Sequence, residues 1–248
     1  VSLELAHARL VAGCAQREGW EDPQRPETVQ AMQIVLHLPK QDPPPRTQVL
    51  EAAARAVVAA CLDERAGQDG AYAQALAQWY GHRIRKVARR ARNKAWRDVQ
   101  ALPGVTVDER ARAFAPSAVG AVEPLVAKLQ IGGTDLPADS PDAPSADAPV
   151  IYADAGLGMS VGKAAAQVGH ASMLLAAARP MEWVRDWAGR DFPLSVREVP
   201  TAVFRQACAA PGAVVVRDAG FTEVAPDSLT VVALDSPAAA GLPARSVG

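Results

Sequence analysis

The run Gly158-Met159-Ser160-Val161-Gly162-Lys163-Ala164-Ala165-Ala166-Gln167-Val168-Gly169-His170-Ala171 reads as a glycine-bearing loop that turns into an Ala-rich helix reaching Ala178. Ser160 stands at the natural N-cap, where a hydroxyl accepts from an unpaired amide of the first turn. Lys163 falls inside that turn, where exposed amides and the helix macrodipole favour anions, so it works against the dipole by about 0.3–1 kcal/mol. A residue that breaks a local rule is where function is sought. Offsets of four and seven from Lys163 bring Gln167 and His170 onto the same helical face. The plain alternative is a buried Ala-rich helix whose three polar residues have no special role.

A Gly-Lys pair at a helix start raises the question of a phosphate-binding loop. The Walker pattern needs a glycine ahead of Gly162 at the position of Leu157, and a Ser or Thr after the lysine, where Ala164 stands. Both requirements fail, which excludes that class of nucleoside triphosphatase.

Across 248 residues the chain is 49% hydrophobic and 21% charged, enough for one or two globular domains. The formal net charge is −1, so any anion site must come from local clustering. Cys14, Cys61 and Cys208 are few and far apart, which predicts a reducing compartment and no disulfide framework. The sequence holds no basic-then-apolar leader and no long apolar span; the expectation is a cytoplasmic protein with no membrane partner. His7, His37, His82 and His170 are scattered, and no Cys/His spacing predicts a metal site. A Gly-x-Ser-x-Gly nucleophile elbow is also missing.

Punctuation divides the chain. Residues 1–30 give a short helix-like start and a polar, proline-bearing stretch, read as an extension. Residues 134–149 are acidic and proline-rich and read as an extended linker. The segment 31–133 on one side and 150–236 on the other read as small α/β domains, with 237–248 a tail. In the first, a strand is expected over Met32–Leu38, helices over Val49–Cys61, Ala71–Tyr80 and Asn93–Leu102, and strands from Val105 and over Leu125–Ile131. In the second, strands are expected over Val150–Ala153, Leu194–Val199, Val214–Arg217 and Thr230–Leu234, with helices over Val161–Ala178, Trp183–Ala188 and Ala202–Ala209.

The order repeats, and part of it repeats residue by residue. Trp79-Tyr80-Gly81 matches Trp187-Ala188-Gly189; without a gap, Arg97 then falls on Arg205, Pro103 on Pro211 and Gly104 on Gly212. The opening helices align as Glu51 with Lys163, Arg55 with Gln167 and Val58 with His170. The reading is two similar small α/β domains forming an intrachain pseudo-dimer; two unrelated domains are the alternative. On the first reading the polar face of the opening helix exists only in the second copy.

The motif Gly162-Lys163, Ala166-Gln167, His170-Ala171, followed by Arg217-Asp218-Ala219-Gly220-Phe221-Thr222, resembles the type II (archaeal/eukaryotic-type) peptidyl-tRNA hydrolases over about residues 150–234. Ala225-Pro226-Asp227-Ser228-Leu229-Thr230-Val231-Val232 resembles the strand that closes that fold. The resemblance implies a mixed four-stranded sheet with flanking helices, usually paired as a homodimer. It implies hydrolysis of the ester joining a peptidyl or N-blocked aminoacyl group to tRNA, with no metal or organic cofactor. It carries over Lys163, Asp218 and Thr222 as catalytic residues, with Gln167, His170 and Arg217 as substrate-binding neighbours. The chain departs from the family where Val161 replaces a lysine, Phe221 a basic residue and Glu223 a glutamine, which thins the positive charge.

Ester hydrolysis needs a positioned water, a proton acceptor and donors for the developing oxyanion. Asp218 suits the first two tasks, Lys163 and the amides of its helix start the third, and Thr222 can hold water or a ribose hydroxyl. Asp218 before Ala-Gly also suits a simple turn, Thr222 an ordinary strand position, and His170 plain packing. A basic run (Arg83, Arg85, Lys86, Arg89, Arg90, Arg92, Lys94 and Arg97) lies beside Trp79, Tyr80 and Trp96. Arginines near aromatics suit phosphates with occasional base stacking, so Arg85, Arg89, Arg90 and Arg92 are expected to bind tRNA; a solvated charged face is the alternative. Two other functions stay open: RNA binding without turnover, and hydrolysis of a different ester or amide. The chain is expected to act as a monomeric pseudo-dimer or as a homo-oligomer.

Overall fold

The structure, a computed structural model, describes residues 2–16, 19–218 and 223–242. Helix α1 (Ser2–Ala15) turns Ala6, His7 and Leu10 inward. The His7 Nε2–H donates to the carbonyl of Ala176 at 2.9 Å, tying the extension to the far half of the chain.

The first unit contains β1 (Gln30–His37), α2 (Arg46–Cys61), α3 (Ala71–Tyr80), β2 (Arg85–Ala91), α4 (Asn93–Val99), β3 (Gly104–Val107), β4 (Ala111–Phe114), β5 (Ser117–Ala118) and α5 (Pro124–Ala127). The second contains β6 (Val150–Asp154), α6 (Val161–Ala177), α7 (Met181–Gly189), β7 (Ser195–Val199), α8 (Thr201–Cys208), β8 (Val214–Arg217) and β9 (Leu229–Leu234). Their sheets run β2-β1-β4-β3 and β7-β6-β9-β8, and β5 adds a short pairing to β1. In both, the first strand pairs parallel with the second and antiparallel with the fourth, which pairs antiparallel with the third. The central strands β1 and β6 are nearly continuous apolar runs because both faces are covered. Two similar α/β units, each a mixed four-stranded sheet with helices, thus stand in one chain, consistent with an intrachain pseudo-dimer.

The repeated tryptophans do the same task. The indole of Trp79 donates to the carbonyl of Arg85 at 2.9 Å, and that of Trp187 to Pro193 at 2.8 Å, each closing the helix onto the strand that follows. Aligning the starts of α2 and α6 pairs Arg46 with Val161 and the more exposed Gln48, Arg55 and Ala59 with Lys163, His170 and Leu174. This corrects the sequence alignment of these helices by one turn: Gln48, not Glu51, stands opposite Lys163.

Helices α2 and α6 pack face to face and join the two halves into one apolar core. Gly169 permits the approach, since a Cβ there would sit 2.8 Å from a methyl of Val57. The hydroxyl of Ser172 donates to the carbonyl of Ala54 at 2.7 Å. Arg46 grips Glu198 with two nitrogens at 2.6 and 2.8 Å and also donates to the carbonyl of Met159 at 2.7 Å. Glu51 accepts from the Val196 amide at 3.1 Å and from Arg197 at 2.9 Å.

Two sequence expectations change. Leu125–Ile131 is not a strand; Pro124 starts the short helix α5, where its missing amide costs nothing. The fourth strand is Ala111–Phe114 instead, held between β1 and β3. Residues 134–149 form no helix or named strand. Side chains anchor this stretch to both units: buried Thr134 accepts from the Gly162 amide at 3.0 Å, and Asp139 accepts from the Thr47 amide and hydroxyl, capping α2 where Pro45 makes no side-chain cap hydrogen bond. Among the described residues, no helix is long and apolar enough to cross a membrane.

Candidate functional site

The site grows from the start of α6 and the turn after β8. Ser160 is the N-cap, its hydroxyl accepting from the Lys163 amide at 3.2 Å. Glu223 accepts from the Ser160 amide at 2.8 Å and from its hydroxyl at 2.6 Å. A carboxylate at a helix N-terminus is the arrangement the macrodipole favours. With Thr134 taking the Gly162 amide, the amides of Ser160, Gly162 and Lys163 are engaged within the protein. The expectation that this helix start donates to a substrate oxyanion is therefore corrected for those three groups.

Strand β8 has a register irregularity between Val216 and Arg217. Such bulges re-aim side chains, and Asp218 follows immediately. Its amide donates to the Ser228 carbonyl at 2.9 Å and its carbonyl accepts from the Asp227 amide at 2.8 Å, closing the base of a long loop. In the first unit, residues 108–110 take the same position in the fold. There Asp108 and Glu109 both have left-handed backbones and Arg110 donates to the Val107 carbonyl, a tight type I′ hairpin turn. The loop that carries Asp218 has no counterpart in that turn.

Lys163 Nζ lies 2.6 Å from Asp218 Oδ1, and both side chains are only 10% exposed. The Gln167 amide nitrogen donates to the same oxygen at 2.8 Å. An ionised carboxylate only accepts, which fixes the amide's orientation and turns its oxygen toward Thr230, whose hydroxyl donates to it at 2.6 Å. Thr230 and Glu223 are site residues that sequence reasoning did not assign. Thr230 carried no signal beyond its strand; Glu223 was visible only as a departure from the family pattern.

These residues open onto a cleft of about 950 Å³ between the two units. Ser160, Lys163, Gln167, His170, Arg217 and Asp218 line one side, and Arg83, Arg85 and Lys86 the other. The seam is crossed by Lys86, whose Nζ lies 3.0 Å from His170 Nδ1, 3.2 Å from the Met173 sulfur and 4.7 Å from the centre of the Trp79 ring. A charged lysine can only donate, so His170 Nδ1 accepts and the ring proton sits on Nε2.

That assembly of a helix-borne lysine and glutamine on a carboxylate after the third strand is where the comparison with known families becomes informative. Residues 149–240 match the family model Peptidyl-tRNA hydrolase PTH2. No curated protein matches the chain. The PTH2-like fold therefore covers the second unit, which contains Lys163, Gln167, His170, Arg217 and Asp218. Thr222, the remaining catalytic expectation, lies outside the described residues.

The basic run is dispersed by the fold. Strand alternation sends successive side chains of β2 to opposite faces, and of the four arginines expected to bind tRNA only Arg85 lines the PTH2-side cleft. Arg85 is paired with Glu21 at 2.8 Å. Arg89 donates to Gln33 at 2.7 Å and to the carbonyls of Ala127 and Leu129, and burial pulls its guanidinium below its ordinary pKa. Arg90 donates to Gln130, and Arg92 to the Leu38 carbonyl at 2.6 Å. Trp79, Tyr80 and Trp96 are buried, so the expected stacking surface is not there. Burial also pushes the Cys61 thiol up to about 12, which leaves it a packing group without nucleophilic character.

Proposed function

We propose that the chain hydrolyses the ester bond between a peptidyl or N-blocked aminoacyl group and tRNA, at one site in the carboxy-terminal unit. The observation that carries this reading is the Lys163–Asp218–Gln167 contact within the segment that matches the PTH2 family. Asp218 orients and deprotonates the attacking water. Lys163, held against it, offers its positive charge to the oxyanion as the tetrahedral intermediate forms. Gln167, locked by Thr230, keeps the carboxylate in place. Thr222 holds the water or a ribose hydroxyl, and His170 and Arg217 contact the substrate. No metal or organic cofactor enters this chemistry. Residues 31–133 serve as a degenerate, non-catalytic copy and 150–236 as the catalytic domain, with 1–30 an extension, 134–149 the connection and 237–248 a tail. Such a chain works in the cytoplasm as a monomer that imitates a dimer.

One observation favours a second reading, RNA binding without turnover: Glu223 fills the start of α6 with a negative charge where a substrate oxyanion would look for donors. Release of an N-blocked amino acid from tRNA decides between them. The hydrolase reading expects release by the wild type and a loss of about 10²–10⁴-fold in Asp218→Asn, the range for a missing general base. Wild-type protein that binds tRNA and releases nothing supports the second reading.

A further inference from the structure

Lys86 belongs to the first unit, outside the residues 149–240 that match the family model, yet its ammonium touches the second unit. Buried Trp79 sets where its strand begins, the indole donating to the Arg85 carbonyl at 2.9 Å. The stem of Lys86 then runs over α6 at Gly169, where a Cβ would lie 3.3 Å from Lys86 Cδ. Its Nζ reaches the Ile84 carbonyl at 3.4 Å, the Met173 sulfur at 3.2 Å and His170 Nδ1 at 3.0 Å, with the centre of the Trp79 ring 4.7 Å away. An ammonium has three N–H donors and nothing to accept with, and these contacts employ them within the protein.

The contact is one-sided. In the ungapped match that sets Trp79 on Trp187, Lys86 falls on Leu194, which is buried and apolar. His170 stands opposite Arg55 of α2, and Arg55 is turned to Asp108 and to the Asp191 carbonyl. A strand lysine from one copy thus meets a helix histidine from the other only on the side of the molecule that holds Lys163 and Asp218.

Resting on the substrate contact assigned to His170 above, we infer that Lys86 is a positioning residue of that site: it holds the His170 ring as the neutral Nε2–H form, so that the histidine meets the substrate as a fixed hydrogen-bond donor to an oxygen. Which ring nitrogen carries the proton is set by the bond that the other one makes. A proton on Nδ1 would break the contact with Lys86, and the donor therefore stays on Nε2. Seven residues of helix separate His170 from Lys163, about 10 Å along the axis, so this contact lies away from the reacting carbonyl. Its loss is then a loss of uniform binding, read in KM and not in kcat. On this account the non-catalytic unit completes the binding surface of the other.

The test reads the ring and the kinetics of the full chain. Proton–nitrogen correlation spectra of isotope-labelled histidine are taken at about pH 8, above the ordinary histidine range, with the His170 signals assigned by their loss in His170→Phe. The wild type should show a single form protonated on Nε2. Lys86→Met should give a mixture of the two neutral forms, and Lys86→Arg, which can also only donate, should keep the single one. On N-blocked aminoacyl-tRNA, Lys86→Met should raise KM about 2- to 10-fold, the range for one hydrogen bond, at unchanged kcat. In the His170→Phe background the same substitution should add nothing to KM, because a residue that acts through another loses its effect once that other is gone. A proton on Nδ1 in the wild type, a mixture in Lys86→Arg, an unmoved KM in Lys86→Met, or additive effects in the double variant each overturns the inference. The wild type and Lys86→Arg keep it open to failure should Lys86→Met not fold. Wild-type protein that binds tRNA and releases nothing removes the hydrolase reading, and the same cycle run on affinity then decides for Lys86. Hydrolysis with additive effects keeps that reading and removes Lys86 from the site.

Discussion

The two units share a strand order and differ in what their polar residues do. On α6, Lys163 and Gln167 converge on Asp218 in one wall of a cleft. On α2, Arg46 and Glu51 reach across to Glu198, Arg197 and the Val196 amide. The hairpin after the third strand is a tight turn in one unit and a long loop carrying Asp218 and Glu223 in the other. Polar residues at different positions of the two opening helices thus do different work: Arg46 and Glu51 join the units, and Lys163 and Gln167 hold Asp218. Asymmetry arises from a few side chains and one loop, on a scaffold left alone.

Breaking the chemical half has the largest expected effect. Lys163→Met should lower the hydrolytic rate about 10²–10³-fold, the cost of one oxyanion-stabilising group, while tRNA binding measured in parallel persists. A wild-type rate in this variant removes Lys163 from the mechanism.

Breaking the joining half comes next. Arg46 is 9% and Glu198 21% exposed at the side chain. Removing one partner of a fully buried pair costs about 3–5 kcal/mol; the remaining exposure of Glu198 lowers the expectation for Arg46→Met to about 2–3 kcal/mol. Urea unfolding reads this directly, and a loss below 0.5 kcal/mol would show the bridge to be ornamental.

Smaller still is the helix cap. Ser160→Ala removes the acceptor for the Lys163 amide and the hydroxyl donor to Glu223, and should cost about 1 kcal/mol in the same assay. The smallest effect sharpens the comparison from the other side. Gln48→Lys puts a lysine at the position in α2 that matches Lys163, yet Asp108, the aspartate of the turn after β3, is already paired with Arg55 at 2.7 Å, so turnover per chain should not rise. A doubled rate would mean that the first unit retains a dormant site.

Much of this was legible in the sequence. Ser160, Gly162 and Lys163 marked the helix start by their chemistry, and the Trp-x-Gly to Pro-Gly spacing exposed the repeat because each tryptophan closes a local hydrogen bond to a carbonyl that follows it. What escaped depended on distant neighbours. Ala111–Phe114 has no β-branched residue; it is a strand because β1 and β3 flank it. Alanine-rich helices align with themselves at several registers, so the match of α2 to α6 slipped by a turn. The arginines of the basic run read as a phosphate-binding patch, whereas Arg89 and Arg92 are drawn onto backbone carbonyls. Glu223 entered the helix start from a loop that no spacing rule connects to it.

The central claim is one reactive site per chain, in the carboxy-terminal unit. Calorimetric titration with an N-blocked aminoacyl-tRNA whose ester is replaced by an amide tests it most directly. The account predicts one ligand bound per chain; two per chain, or none, would contradict it.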